Sequence, residues 1–474
     1  MIQRSLDLSL SDVALATGGE LRGPGHSRVA GISTDTRDPL ENQLFVALRG
    51  ERFDGHAFLE RALELGASAL LVDTRAAISS ERLEALSSRV PVVIAADTLG
   101  ALGDVARWHR RRLPVQVIAL TGSNGKTTTK EILASVLSMS RRVHSTEGNL
   151  NNLVGVPMTL FGATAEHEVL VIEMGMNARG EIARMTEIAQ PDVGLVLNVG
   201  PAHIGRLGSI EGVAAAKGEL YLGLDRDRGI CVANADDALV MHAARVSSVK
   251  RIRTFGRSTS ADVRLVRAEP DGELQSIELM VDGARLEAKL PLIGAHNALN
   301  AAAAIAAATA TEGLLPGLDG AISGLERVAV PKGRLKVKAI SGFRVIDDCY
   351  NANTSSVVAA IETISKLAKG QRARFVAVLG EMRELGDYSR EEHAKVGAAL
   401  VAAKVDAVAA FGPEASPIAE VVGASGIAAR HEASDDAALF AWLSRTLTSG
   451  DYVLVKGSRG IRMERFIEML EGAN

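Results

Sequence analysis

The sequence predicts an α/β protein made of three successive units, the middle one carrying a phosphate-binding loop. Three observations predict it. Short apolar runs alternate with helical patterns along the chain, and a Gly-rich turn joins one such run to a helix in VIALTGSNGKTTTKEIL. After Pro331 and Gly333 the strand–helix rhythm restarts. A length of 474 residues suits about two to four domains. Composition agrees: 47% hydrophobic, 23% charged and only 3% aromatic residues suit several cores of Ala, Val, Leu and Ile with closely packed helices.

In order, LFVALRG (Leu44 to Gly50) reads as a strand, followed by an amphipathic helix in FLERALELGASALLVD, a Gly stop at Gly66 and a buried strand at Ala69–Val72. PVVIAAD is a further strand, and a helix from about Thr98 to Leu113 leads onward. The strands of the middle unit are VQVIALTG, EVLVIEMG and VGLVLNVG; the stretch Arg264 to Leu290 alternates and holds Asp-Gly turns, which adds antiparallel strands. A long Ala-rich helix closes this unit. The last unit has FRVIDD, ARFVAVLG, VDAVAAFG and DYVLVKG as strands.

A net charge of −4 excludes the basic footprint of a nucleic-acid binder, and the run Arg107 to Arg112 reads as a solvated helix face. Two distant cysteines exclude a disulfide framework and a Cys-based zinc site, and fit a reducing compartment. The N-terminus has no apolar signal core, and no apolar stretch is long enough to span a bilayer. A cytoplasmic protein without membrane insertion is expected.

The chemistry starts at the Gly-rich turn. Backbone N–H groups at a helix N-terminus lack intrahelical partners, and the helix dipole favours an anion there. Gly122, Ser123, Asn124, Gly125, Lys126, Thr127 and Thr128 would cradle phosphates. The two glycines allow close approach, Lys126 neutralises phosphate oxygens, and the Thr127 hydroxyl suits Mg²⁺. Leu120 stands where the long form of the motif has Gly, so the short form is present. GxGxxG occurs nowhere; the nearest string, GPGHSR from Gly23 to Arg28, does not follow a strand, which disfavours a nicotinamide enzyme.

Glu173 ends the strand VLVI, and strand carboxyl ends in an open parallel sheet share one crevice, so it can serve a hard cation or simply cap the next helix. His203, in NVGPAHIG, occupies the matching place after another strand, as a functional group or a plain loop histidine. By sequence alone Lys217 is a helix-face lysine, Asn297 the start of the Ala-rich helix, and Arg334 a surface cation.

Taken together, the strings TGSNGKTTTKE, EGNLNNLVGVPMTL, VIEMGMNARGEI, NVGPAHIGRLGSIEGVAAAKGEL, GAHNALN, GRLKV, DDCYNAN and VLVKGSRGIRMER resemble the Mur ligase family over essentially the whole chain. The resemblance implies a three-domain Mur ligase architecture: 1–97 for the uridine nucleotide of the substrate, 98–330 as a central P-loop ATPase, and 331–474 as a C-terminal Rossmann-like domain. It implies an ATP- and Mg²⁺-dependent, monomeric ligase that joins D-alanyl-D-alanine to UDP-N-acetylmuramoyl-tripeptide through an acyl phosphate. The sister ligase that adds the third amino acid typically carries EVSSH-like and DNPR strings, absent here. That sister and a non-catalytic nucleotide-binding regulator are the alternatives.

The resemblance also implies roles. Ser33, Asp35, Thr36 and Arg37, with Arg49, Gly50, Asp54, Gly55 and His56, match the pattern that holds the uridine nucleotide. Thr127 and Glu173 would hold one Mg²⁺, His203 and a carbamylated Lys217 a second. Asn297 would contact adenine, Arg334 the terminal phosphates and Asp347 the ribose, while Asn149 and Asn152 face the acceptor. The family often has Pro after YNAN; Thr354 stands there, which bears on the local turn and on dipeptide contacts by Asn351 or Asn353.

Overall fold

The computed structural model describes residues 6–50, 53–76, 78–200 and 204–472. It forms two compact units, one of Met1–Thr121, Arg141–Gly194 and Glu219–Ile230, the other of Gly122–Ser140, Leu195–Gly218 and Cys231–Asn474.

In the first unit the strands Glu20–Arg22, Val92–Ala95, Ala69–Asp73, Gln43–Val46 and Gly31–Ser33 lie side by side in that order, the first antiparallel and the others parallel. The sequence finds three of these five. It misses Glu20–Arg22 and Gly31–Ser33, each only three residues long and without an apolar run, so GPGHSR does follow a strand, contrary to the sequence expectation, though it still lacks the last glycine of GxGxxG. Ala69–Asp73 is buried throughout, and Phe45, Leu70, Val72 and Val92 meet Leu40, Leu59 and Leu86 in one core. Three further parallel strands, Gln116–Thr121, Val169–Glu173 and Val143–Ser145, pair in that order, with Glu173 opposite Leu120.

The helix Thr98–Arg110 starts on Asp97, whose side chain accepts the Gly100 N–H. Its basic run departs from a solvated face. The mostly buried Arg110 donates to the carbonyls of Ala189 (3.0 Å) and Gln190 (3.3 Å) at the end of the helix Glu181–Ala189. The last carbonyls of a helix need partners, and here a side chain from another helix supplies them. Arg107, half-buried, pairs with Asp104 and Glu187, and the exposed Arg112 lies over the Trp108 ring.

In the second unit the phosphate-loop helix Lys126–Ser138 packs against the Ala-rich helix Ala295–Ala308, which is buried along most of its length. Small side chains permit this close approach. The expected antiparallel strands are Val263–Asp271, Leu274–Val281 and Ala284–Leu290, joined at Gly272 and Gly283, both with positive φ. Beyond them, Lys336–Ile340, Phe343–Asp348, Tyr452–Lys456, Phe375–Gly380, Ala407–Phe411 and Ala428–Glu432 form a six-stranded sheet, all parallel except the first pair. The four apolar runs read from the sequence are its centre. The two edge strands, KVKAI and AARHE, are half-exposed and polar, and the sequence does not announce them. No helix among the described residues is long and apolar enough to cross a membrane.

Candidate active site

The phosphate loop follows the strand Gln116–Thr121 directly, and Gly125 caps its helix with φ 85°. A Cβ at Gly125 would lie 2.4 Å from Asn300 Oδ1, and one at Gly122 would lie 2.9 Å from Leu197 Cβ. Asn198 braces the loop: its Oδ1 accepts the Asn124 N–H at 2.9 Å, its Nδ2 donates to the Asn124 carbonyl at 3.1 Å, and its own carbonyl accepts the Ser123 N–H. The Ser123 hydroxyl accepts the Gly200 N–H at 2.8 Å. Lys126 Nζ donates to the Gly122 carbonyl at 2.8 Å, arching over the loop. Thr127 is half-buried and Thr128 buried in the first turn.

Gly125 permits a sharp test. The Gly125→Ala variant adds left-handed strain of about 1–2 kcal/mol and the Asn300 clash. ATP affinity is expected to fall at least about tenfold by calorimetry, each tenfold being about 1.4 kcal/mol. Gly180→Ala is the control: φ is 86° with nothing within 4 Å of the added carbon, so strain alone acts and ATP affinity holds. Equal affinity in both variants would refute the role given to the Gly125 contact.

Lys217 lies on the helix Ile210–Leu222 and is only 2% exposed, so it is not the helix-face lysine of the plain sequence reading. No carboxylate pairs with it among the described residues. Burial first, and the Lys126 charge second, hold its amine well below the usual lysine range. His203 lies outside the described residues.

Glu173, 2% exposed, sits at the end of its strand. Its N–H donates to the Thr146 hydroxyl (3.0 Å), and Oε1 accepts from Asn151 Nδ2 (2.7 Å). Oε2 is buried with no partner among the described residues. A buried carboxylate oxygen left bare is costly, and a hard cation is the partner that such an oxygen suits. In the NLNN string it is Asn151, which no sequence pattern singles out, that reaches Glu173. Asn149 is exposed, and Asn152 Oδ1 accepts the N–H groups of Val154 (3.1 Å) and Gly155 (2.8 Å) ahead of the helix Gly155–Phe161.

Asn297 is buried; its Nδ2 donates to the Ile293 carbonyl (2.8 Å) and its Oδ1 accepts from Asn300 (3.0 Å), the residue that also crowds Gly125. Arg334 lies over the Tyr350 ring at 4.3 Å, with Nε buried and unpartnered among the described residues. Asp347 is buried, its Oδ1 accepting the Cys349 N–H at 3.3 Å. Asn351 is exposed and its carbonyl accepts from Lys456. Asn353 caps the helix Thr354–Gly370 in a capping box with Ser356. Thr354 opens that helix, where Pro is also at home, and its hydroxyl reaches Glu392. The departure from the family string thus leaves the turn intact.

The first unit gathers its candidates at the carboxyl ends of three adjacent parallel strands, the edge where open α/β sheets take ligands. After Gly31–Ser33, the Ser33 hydroxyl accepts the Asp35 N–H and donates to its carbonyl, Arg37 pairs with Asp35, and Thr36 is half-buried. Arg37 holds the Asp35 carboxyl below its usual range. After Gln43–Val46 come Arg49 and Gly50, the latter donating its N–H to the Phe53 carbonyl. Gly55 has no room for a side chain, as a Cβ would meet the Leu48 carbonyl oxygen at 2.7 Å. His56 Nε2 accepts the Asp73 N–H (3.2 Å), so the ring proton sits on Nδ1 and is donated to Asp54 (2.6 Å). Burial pushes Asp54 up, but bonds from the His56 amide and ring, with Arg49, leave it below its usual range. Asp73, absent from the sequence reading, is buried within 3.7 Å of Arg49 and 3.6 Å of Arg75.

A strand–loop–helix phosphate cradle defines a nucleotide-binding α/β protein of the P-loop class. Comparisons narrow the class. Family models match in chain order: Mur ligase family, catalytic domain, over residues 28–110; Mur ligase middle domain over 120–308; and Mur ligase, glutamate ligase domain, over 333–459. The chain is 35% identical over 480 residues to UDP-N-acetylmuramoyl-tripeptide–D-alanyl-D-alanine ligase of Bacillus subtilis, covering 99% of each. It is 38% identical over 450 residues to the Synechocystis ligase of the same name, covering 94% of this chain and 93% of the relative. Among solved structures, MurF from Acinetobacter baumannii matches with TM-score 0.88 and 31% identity over 99% of this chain and 100% of that one. MurF ligase from Thermotoga maritima in complex with ADP matches with TM-score 0.80 and 29% identity over 93% and 97%. The chain belongs to the Mur ligase family, with its three-domain architecture.

Proposed function

We propose that this chain joins D-alanyl-D-alanine to the terminal carboxylate of UDP-N-acetylmuramoyl-tripeptide, converting ATP to ADP and phosphate. One observation carries the reading: ligases so named align with the chain nearly end to end, with 35–38% identity for two of them. The intact phosphate loop and the unpartnered Glu173 oxygen support it. The proposed domain limits are 1–97, 98–330 and 331–474, in a cytoplasmic monomer.

In the first step a substrate carboxylate oxygen bonds to the γ-phosphorus of ATP as the bond to ADP breaks, which yields an acyl phosphate. In the second, the dipeptide amine bonds to the acyl carbon, phosphate leaves, and the amine gives up a proton. Two anions must meet in the first step, so the protein's task is charge neutralisation and alignment. Lys126 supplies a cation at the loop, and the Arg334 guanidinium, its Nε unpartnered, supplies another for the terminal phosphates. Asn297 and Asp347 would hold the nucleoside. The Ser33–Arg37 and Arg49–His56 turns would hold the uridine nucleotide, and Asn149, Asn152, Asn351 and Asn353 would flank the acceptors.

Thr127 and Glu173 would hold one Mg²⁺, His203 and Lys217 a second; bound there, such ions supply further positive charge to the phosphates. An ammonium at Lys217 would repel a cation. Its depressed basicity keeps an amine lone pair available for CO₂, giving a carbamate oxygen ligand and one released proton. Activity at low enzyme concentration should therefore rise with bicarbonate, and indifference to it would count against the carbamate.

The deciding assay is phosphate release from ATP with UDP-N-acetylmuramoyl-tripeptide, with and without D-alanyl-D-alanine. Release that needs both, with the pentapeptide seen by mass, is expected. Release driven only by another amine would transfer the chain to a sister activity, and ATP binding without turnover would favour a regulator.

A further inference from the structure

The side chain of Asn124 projects from the phosphate loop into a closed ring of hydrogen bonds. Asn353 sets the direction of the ring. Its Oδ1 accepts the Ser356 N–H (2.9 Å) as the cap of the helix Thr354–Gly370, and also the Ser355 hydroxyl (3.0 Å). With its oxygen so engaged, Asn353 turns Nδ2 outward and donates to Asn124 Oδ1 at 2.8 Å. Asn124 must then point Nδ2 the other way, where it donates to Ser355 Oγ at 2.8 Å. Each group in the ring both donates and accepts, so no member can turn without breaking two bonds. Asn198 holds the Asn124 backbone from the opposite side.

We propose that Ser355 and Asn353 are positioning residues: through the Asn124 side chain they tie the geometry of the phosphate loop to the seating of the helix Thr354–Gly370. This rests on the ligase reading. Because Asn198 independently keeps the loop backbone in shape, losing the ring leaves ATP binding in place. What weakens is the hold between the loop and the segment bearing Asn351 and Asn353, where the acyl phosphate must be kept from water.

Ser355→Ala tests this with the cap preserved. The expected result is a kcat lower by about three- to tenfold, the range for one hydrogen bond, with an unchanged dissociation constant for ATP. Phosphate released per amide bond formed should rise above one. Ser355→Thr, which keeps the hydroxyl, should restore both values. In an Asn124→Ala background, Ser355→Ala should add nothing. Hydrogen exchange at residues 353–357, the start of the helix that the ring ties to the loop, is read in parallel and does not depend on ligation, so a chain that fails as a ligase still reports on the ring. Faster exchange in Ser355→Ala is expected. Wild-type kcat and exchange in Ser355→Ala, no rescue by Thr, or additive losses with Asn124→Ala would each overturn the proposal.

Discussion

Lys217→Met is expected to lose ligation by about 10²–10³-fold, the magnitude for removing one pre-organised electrostatic group, while folding at least as stably as the parent chain. The second half of that expectation is the informative one. Lys217 is buried with no carboxylate partner among the described residues and beside the Lys126 charge, so its proton is held less tightly in the folded chain than in the unfolded one. Where the unfolded state binds more protons, stability rises with pH. In CO₂-free buffer the parent chain should gain stability as pH rises from its lowered folded-state value toward the ordinary lysine range. Methionine, of similar length and uncharged, should flatten that slope. Thermal melts across pH, with the ligase assay alongside, check both halves. A Met variant that ligates normally would remove Lys217 from the site, and one that unfolds would make its role structural.

Lys456→Met is expected to cost about 3–5 kcal/mol of stability, the usual loss when one partner of a buried ion pair is removed. Lys456 is 1% exposed; its Nζ lies 2.7 Å from Asp348 Oδ2 and donates to the Asn351 carbonyl at 2.8 Å. Asp348 in turn accepts the Leu335 N–H, next to Arg334. Methionine leaves a carboxylate buried without its cation. Adding Asp348→Asn removes the stranded charge and should recover much of the loss, as urea unfolding would show. A single variant as stable as the parent would mean that water reaches Asp348 and the pair is not closed.

Much of the centre of this protein is legible in its sequence because burial on both faces writes a strand as an unbroken apolar run. VIALT, VLVIE, FVAVL and YVLVK are such runs, and each is a strand. The edges are not legible. Glu20–Arg22, Lys336–Ile340 and Ala428–Glu432 are strands because a neighbour offers them hydrogen bonds, and their own residues carry no period that says so. Arg110 shows the same limit among charges: RWHRRR reads as a solvated face until a distant helix end is found waiting for a donor.

The site divides along the same line. The phosphate loop is local chemistry, six or seven consecutive residues whose glycines, lysine and threonines must stand together, so the string alone locates it and its type of ligand. The supporting residues are scattered, and polar residues of ordinary kinds reveal nothing until the chain folds. Asn198 bracing Asn124, Asn300 closing on Gly125, Asn151 on Glu173, and Asn353 with Ser355 around the loop are contacts between residues up to 231 positions apart. By itself the sequence determined the fold class, the phosphate cradle and the family, because these rest on apolar periodicity and contiguous motifs. Only the tertiary structure decided which asparagine meets which partner and that Lys217 is buried with no carboxylate paired to it among the described residues, because hydrogen bonds and desolvation depend on what the fold brings within a few ångströms.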